Sequence, residues 1–361
     1  MSRNIDKANE AIFYNIKVHY HYFLNNEDNG YDASLDEKRF VGGSKEEADY
    51  FKYLKIDLDS RLSFSDDKLL VFAHYNENKF LISVGLGDVI TPEGIEPYDL
   101  NAGIFAAVVS DLDLMPNHHI SSNRISNDIL SQYVGLEDYK GHSYQELEPI
   151  FPKIKIYTIN ENIYAGDISS IEQLVCLILA SNKCLLKLKY SETTLETFRH
   201  LFYKNYSSLK YDTLFQALTS NSFKFAFLDI YRAIEMLYQI CYIADVESEL
   251  NNVSREDLLK YLDSALNWKP NERNSLIKII NSILPSDRNY ISTRIRNIVG
   301  RFKQGNTVSD ESIWNWIYDL RCSIVHLKTH HQTYHLSDRE WDMLIYCLLV
   351  LIMSAYTLYN C

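Results

Sequence analysis

Arg321 and His326 lie five positions apart in the stretch LRCSIVH, residues 320–326. A guanidinium gathers phosphoryl oxygens through a fork of charged donors. An imidazole titrates near neutral pH and can move protons at the same phosphate. The pair sits in a segment, Asp310–His326, whose apolar residues Ile313, Trp316, Ile317, Leu320 and Ile324 share one helical face. Arg321 falls at the edge of that face and His326 on its far side. Five positions of ideal helix turn through about 140° and rise about 7.5 Å, so the two side chains diverge. They meet at one phosphate if the helix end distorts, or if a second copy of the helix supplies the complement. An architectural reading fits the same residues: Arg321 pairs with Glu235 or an interior carbonyl, and His326 closes the helix at its negative end.

The elements that must hold this pair are helical. From about Ser169 the apolar period becomes 3.6 residues, in SSIEQLVCLILASN, SETTLETFRHLFYKNY and FLDIYRAIEMLYQICY. In the last of these, Phe227, Tyr231, Ile234, Leu237, Tyr238 and Cys241 form a single stripe. Further helices are expected over SREDLLKYLDSAL, over PNERNSLIKIINSIL with Pro270 at its first position, and over RNYISTRIRNIVGRF. The final one, Met343–Tyr359, has 17 residues and no charge, and Ser337 and Glu340 before it make a capping box. It lacks basic flanks and carries Ser354, Thr357 and three tyrosines, which predicts a buried helix rather than a membrane span.

The first 165 residues read as strands. Ala11–Phe23 is aromatic and β-branched with partial alternation, and would place His19 and His21 on one strand face. KLLVFAHY and KFLISVGLG flank an Asn76–Asn78 turn, AGIFAAVVSDLDL is a third apolar run, and KIKIYTI with NIYAGDI suggests a second hairpin. The class is therefore α+β: a β-rich domain over 1–165, then an all-α bundle over 166–361, with the boundary between 160 and 190.

IYDLRCSIVH in the penultimate helix resembles the R-x4–6-H signature of the HEPN superfamily of ribonucleases. YRAIEMLYQ, Tyr231–Gln239, resembles the early helix of that domain in anti-phage abortive-infection proteins, with Glu235 as its glutamate. The order of helices agrees, and the resemblance spans about residues 190–361. Where the family usually has Asn, Asp or His after the arginine, this chain has Cys322, followed by Ser323. The resemblance implies a metal-independent endoribonuclease with Arg321 and His326 as catalytic residues and Glu235, Cys322 and Ser323 in support. It implies a homodimer whose two R-x4-H helices face one cleft, an RNA substrate, and a setting in phage defence or a toxin system. The alternative is a catalytically silent module that binds RNA or a partner protein.

Charge and composition narrow the rest. Residues 1–170 hold 15 Lys and Arg against 28 Asp and Glu, a net of −13, whereas residues 171–361 hold 21 against 20, a net of +1. The acidic half repels phosphates, so it suits regulation by a protein or small-molecule trigger better than RNA docking. Arg294, Arg296, Arg301 and Lys303 are the densest basic cluster, either a solvated helix face or a track for the RNA backbone. His326, His330, His331 and His335 have i, i+4 spacings, but only Asp338 is near enough to complete a ligand set, so a polar connection is expected rather than a metal site. There is no Walker A or G-x-S-x-G motif, VGLGDV lacks a following helix, and no cofactor is expected. Cys176, Cys184, Cys241, Cys322, Cys347 and Cys361 form no C-x-x-C pair and read as small hydrophobes in a reducing compartment. With the polar start MSRNIDKANE, that predicts a cytoplasmic protein.

Overall fold

The structure is a computed structural model, described here for residues 3–24, 38–65, 67–133, 138–160, 171–204, 206–249, 254–266, 270–303, 308–326 and 334–360. The chain divides into two compact units, Met1–Asp167 and Ile168–Cys361.

The first unit runs α1 (Ile5–Leu24), α2 (Lys45–Tyr53), β1 (Lys55–Ser65), β2 (Lys68–Tyr75), β3 (Asn78–Val84), β4 (Ile95–Tyr98), α3 (Ala102–Asp111), α4 (Ser122–Ile125), α5 (Tyr144–Leu147) and β5 (Ile154–Ile159). Its strands form one antiparallel sheet in the order β1-β2-β3-β5-β4. The Asn76 turn closes the β2–β3 hairpin with Tyr75 opposite Asn78, and Asn76 adopts φ 55°, a left-handed conformation asparagine tolerates. Alternate residues Leu69, Val71, Ala73, Phe80, Ile82, Val84, Ile154 and Ile156 join the helices in one core. Both edges of β5 are taken, by β3 and β4. The strand expected at 162–168 lies outside the described residues.

Two expected strands are helices. Ala11–Phe23 belongs to α1, where Ala8, Ile12, Phe13, Ile16 and Tyr20 are buried. That spacing is helical, and aromatic and β-branched composition concealed it. His19 is thus a buried helix residue, with its Nε2 3.1 Å from the Ile120 carbonyl. AGIFAAVVSDLDL contains α3, whose first eight residues are all buried, so no polar face revealed its period. The local signal was Asn101, which caps α3 by accepting from the Ile104 N–H. At Gly103 the helices α2 and α3 touch: an added Cβ would stand 1.8 Å from the Glu47 carbonyl oxygen.

The second unit is helical throughout its described residues apart from connections. It contains α6 (Ile171–Ser181), α7 (Glu192–Tyr203), α8 (Tyr211–Thr219), α9 (Phe223–Glu235), α10 (Leu237–Glu249), α11 (Arg255–Leu266), α12 (Glu272–Ser282), α13 (Pro285–Phe302), α14 (Asp310–Val325) and α15 (Asp338–Tyr359). The expected stripe through Phe227 and Cys241 is buried along its length, but the helix breaks at Met236 into α9 and α10. Pro270 precedes α12 rather than opening it, because Asn271 takes the cap and accepts from the Asn274 N–H. The proline at a first helical position is Pro285, in α13. Among the described residues α15 alone is long and apolar enough to cross a membrane, and 61 % of its apolar window is buried within the protein. It packs on α7, α9, α12 and α13, as the core helix of the bundle.

Candidate functional site

Helix α14 starts where Ser309 accepts a hydrogen bond from the Ser312 N–H. Ile313, Trp314, Trp316, Ile317 and Leu320 anchor it in the core, while Ile324 is only half-buried. Anchoring at those positions turns Arg321 towards α9 and α12. Its Nε donates to Glu235 Oε1 at 3.0 Å, and its Nη2 is ion-paired with the same oxygen at 2.7 Å. Its Nη1 lies 3.5 Å from Glu272 Oε2. The Arg321 side chain is 15 % exposed, Glu235 27 % and Glu272 46 %. Burial alone would lower the guanidinium pKa, but the Glu235 and Glu272 carboxylates more than reverse that and raise it. Arg321 is therefore cationic at any physiological pH and fixed in direction.

His326 caps α14. Its φ of −108° and ψ of 101° leave the helical region, while its N–H still donates to the Cys322 carbonyl at 2.9 Å. The chain thus leaves the helix at the histidine itself, as at an ordinary C-cap. His326 is exposed. Cys322 is a half-buried free thiol. Ser323 donates its hydroxyl to the Leu320 carbonyl at 2.7 Å within its own helix.

Glu272, Tyr318 and Arg273 neighbour this site and were missing from the sequence reading. Glu272 is the first residue of α12, and Tyr318 on α14 donates to its Oε2 at 3.4 Å. Arg273 lies with its guanidinium 4.6 Å from the centre of the Tyr318 ring, and donates to Asn315 Oδ1 at 2.9 Å and Asp319 Oδ1 at 2.5 Å. The Tyr318 hydroxyl is pushed up to about 12 by burial, then by its hydrogen bond with Cys322, so it remains a donor at neutral pH. Tyr318 could have been found, since it stands one turn before Arg321. Glu272 and Arg273 belong to another helix, and no local pattern marks them.

The basic cluster on α13 is partly consumed in joining helices. Arg296 donates to the Val308 carbonyl and to Asp310 at 2.6 Å, at the start of α14. Arg301 pairs with Glu340 at 2.6 Å, at the start of α15. Arg294 instead lies on tyrosine rings, 4.4 Å from the centre of Tyr290 and 5.4 Å from that of Tyr346. Lys303 caps α13. Of the histidine cluster, His335 is exposed, its carbonyl accepting from Arg301, and His330 and His331 lie outside the described residues. Among the described residues no three His, Cys, Asp or Glu side chains are grouped to hold a metal ion. Compared with family models, curated proteins and solved structures, the chain matches none.

Proposed function

We propose that the second unit is a HEPN-type endoribonuclease in which Arg321 and His326 act on an RNA phosphodiester. The observation that carries this reading is the pairing of α9 and α14: Glu235 fixes the Arg321 guanidinium, and the helix ends at an exposed His326 little more than one turn further on. In the proposed reaction the RNA 2′-hydroxyl attacks its own phosphorus. The O2′–P bond forms and the P–O5′ bond breaks. His326 takes the 2′-hydroxyl proton, and the His326 of a second copy protonates the departing 5′-oxygen. Arg321 stabilises the charge that grows on the phosphoryl oxygens. No protein nucleophile or metal-bound water enters.

The reading carries a homodimer through the second unit, a cytoplasmic setting in defence or toxicity, and regulation through the acidic first unit. RNA cleavage in EDTA that leaves a 2′,3′-cyclic phosphate, and that stops when the scissile 2′-hydroxyl is removed, supports it. Cleavage that needs a divalent metal, or that accepts the 2′-deoxy substrate, discards it and moves attention to His330, His331 and His335. Light scattering by the full chain tests the dimer, and a strictly monomeric active protein counts against the shared cleft.

A second reading has its own support. Two carboxylates already hold the Arg321 charge, and Cys322 is a weaker hydrogen-bond donor than the family's usual amide. A silent module would bind RNA or a protein without cleaving it. Arg321-dependent RNA binding with no product at any enzyme concentration favours that alternative.

A further inference from the structure

Arg321 offers its donors unequally. Nε and Nη2 are committed to Glu235 Oε1 at 3.0 and 2.7 Å. Nη1 lies 3.5 Å from Glu272, a long contact, and the Arg321 side chain also has a hydrogen bond with Cys322 on its own helix. Glu272 Oε2 also receives the Tyr318 hydroxyl at 3.4 Å, again a long bond. One carboxylate oxygen therefore stands where a guanidinium N–H and a phenol O–H converge. The Glu272 side chain is 46 % exposed, so solvent screens its hold on Arg321. The two donors are better fixed than the acceptor between them. Glu235 braces Arg321 from α9, and Arg273 lies over the Tyr318 ring while tied to Asn315 and Asp319.

We infer that Glu272 Oε2 occupies the place of a substrate phosphoryl oxygen, that Arg321 Nη1 and the Tyr318 hydroxyl form the phosphate-binding point, and that Glu272 must swing out for RNA to enter. This rests on the ribonuclease reading for its substrate but not for its chemistry, which is that of an anion displaced by another anion. Arg321 carries one positive charge against the two negative charges of Glu235 and Glu272. A phosphodiester brought to Nη1 meets the Glu272 carboxylate in the same space, and both cannot stay. Glu235 is more buried, holds Arg321 through one hydrogen bond and one ion-pair contact on the same oxygen, and remains in place. Glu272 begins α12, so its side chain can turn into solvent without disturbing the packing of that helix, which rests on Ser275, Leu276, Ile279 and Ile280.

The test uses the full chain, a short single-stranded RNA for cleavage, and the same RNA with 2′-O-methyl groups for binding. Glu272→Gln removes the charge and keeps the shape. It should lower both KM and the Kd for the uncleavable RNA by roughly three- to ten-fold, the range of a loosely held carboxylate competitor. It should leave kcat within about two-fold, because the competitor is gone before chemistry begins. Tyr318→Phe should weaken binding by roughly ten-fold, the scale of one hydrogen bond to a charged group.

The gain from Glu272→Gln must vanish in an Arg321→Ala background, because only Arg321 makes Glu272 a competitor. A gain that persists there is general charge repulsion and overturns the inference. So does unchanged or weaker binding by Glu272→Gln with the fold intact by circular dichroism, and so does a failure of every variant to bind the uncleavable RNA. Absence of cleavage by the wild type removes the ribonuclease reading alone. The binding arm then still decides whether Glu272 guards an anion site.

Discussion

Two arginines, one in each unit, spend their donors in opposite ways. Arg39 in the first unit is 6 % exposed. Its Nη1 donates to the Ile129 and Gln132 carbonyls and its Nη2 to the Leu130 carbonyl, at 3.1, 3.0 and 2.6 Å. Those carbonyls end the helical stretch that follows α4, where a cation is favoured by the dipole. A buried His142 adds its Nε2, 3.1 Å from Arg39 Nη1. Backbone acceptors cannot leave without unfolding their helix end. Arg321 is held by side-chain carboxylates, one of them half in solvent, and these can turn away. An arginine locked on carbonyls reads as architecture, whereas one braced on one side and loosely covered on the other reads as a site.

That contrast breaks most readily at Arg39. Arg39→Met leaves several buried carbonyls without donors, and should cost the first unit about 3 kcal/mol or more in urea unfolding. Arg321→Met at the partly exposed site should cost less than about 1.5 kcal/mol. All four tryptophans, Trp268, Trp314, Trp316 and Trp341, lie in the second half of the chain. Tryptophan fluorescence therefore follows the second unit, and circular dichroism follows both. Equal losses from the two substitutions would erase the distinction.

His142 sharpens it through pH. Burial first, and the Arg39 charge second, push its pKa down to about 4 from an ordinary 6.5. The unfolded chain then binds the extra proton first as pH falls. Stability from the neutral imidazole is complete above about pH 6.5 and is lost between there and about pH 4, by about 3 kcal/mol in all. His142→Asn should flatten that acid limb. A limb as steep as in the wild type would show that the loss arises elsewhere.

Smaller effects are expected on α13. Arg294→Gln should weaken RNA binding several-fold and reduce the salt slope by about one. Arg301→Gln should do less, because Glu340 already takes its charge, and should cost less than about 1 kcal/mol of stability. The reverse order in binding would mean that the Arg301–Glu340 pair opens to RNA. Cys322→Asn, beside Arg321, should hold the cleavage rate or raise it modestly, and a sharp fall would give the thiol a role of its own.

The helical half was the more legible. Its stripes through Phe227–Cys241 and Ile313–Leu320 repeat at 3.6 residues, so sequence periodicity and burial agree. The Arg321–Glu235 pair was also within reach, since each residue sits at the edge of its own apolar stripe. α1 was not, because tyrosines and β-branched residues fill its exposed face as well. Tyr14 and Tyr22 are 67 % and 75 % exposed there, so polarity did not mark the period. Glu272 escaped for another reason: its contact with Arg321 exists only once α12 packs beside α14.

The central claim is that Arg321 and His326 carry out RNA cleavage together, and single-turnover cleavage of a short single-stranded RNA in EDTA by the wild type, Arg321→Ala and His326→Ala tests it most directly. Each substitution should slow cleavage by at least about 100-fold, the scale of losing an oxyanion-stabilising or proton-transferring group, while melting within a few degrees of the wild type. Cleavage at the wild-type rate by either folded variant would contradict the account and leave Arg321 and His326 as parts of the architecture.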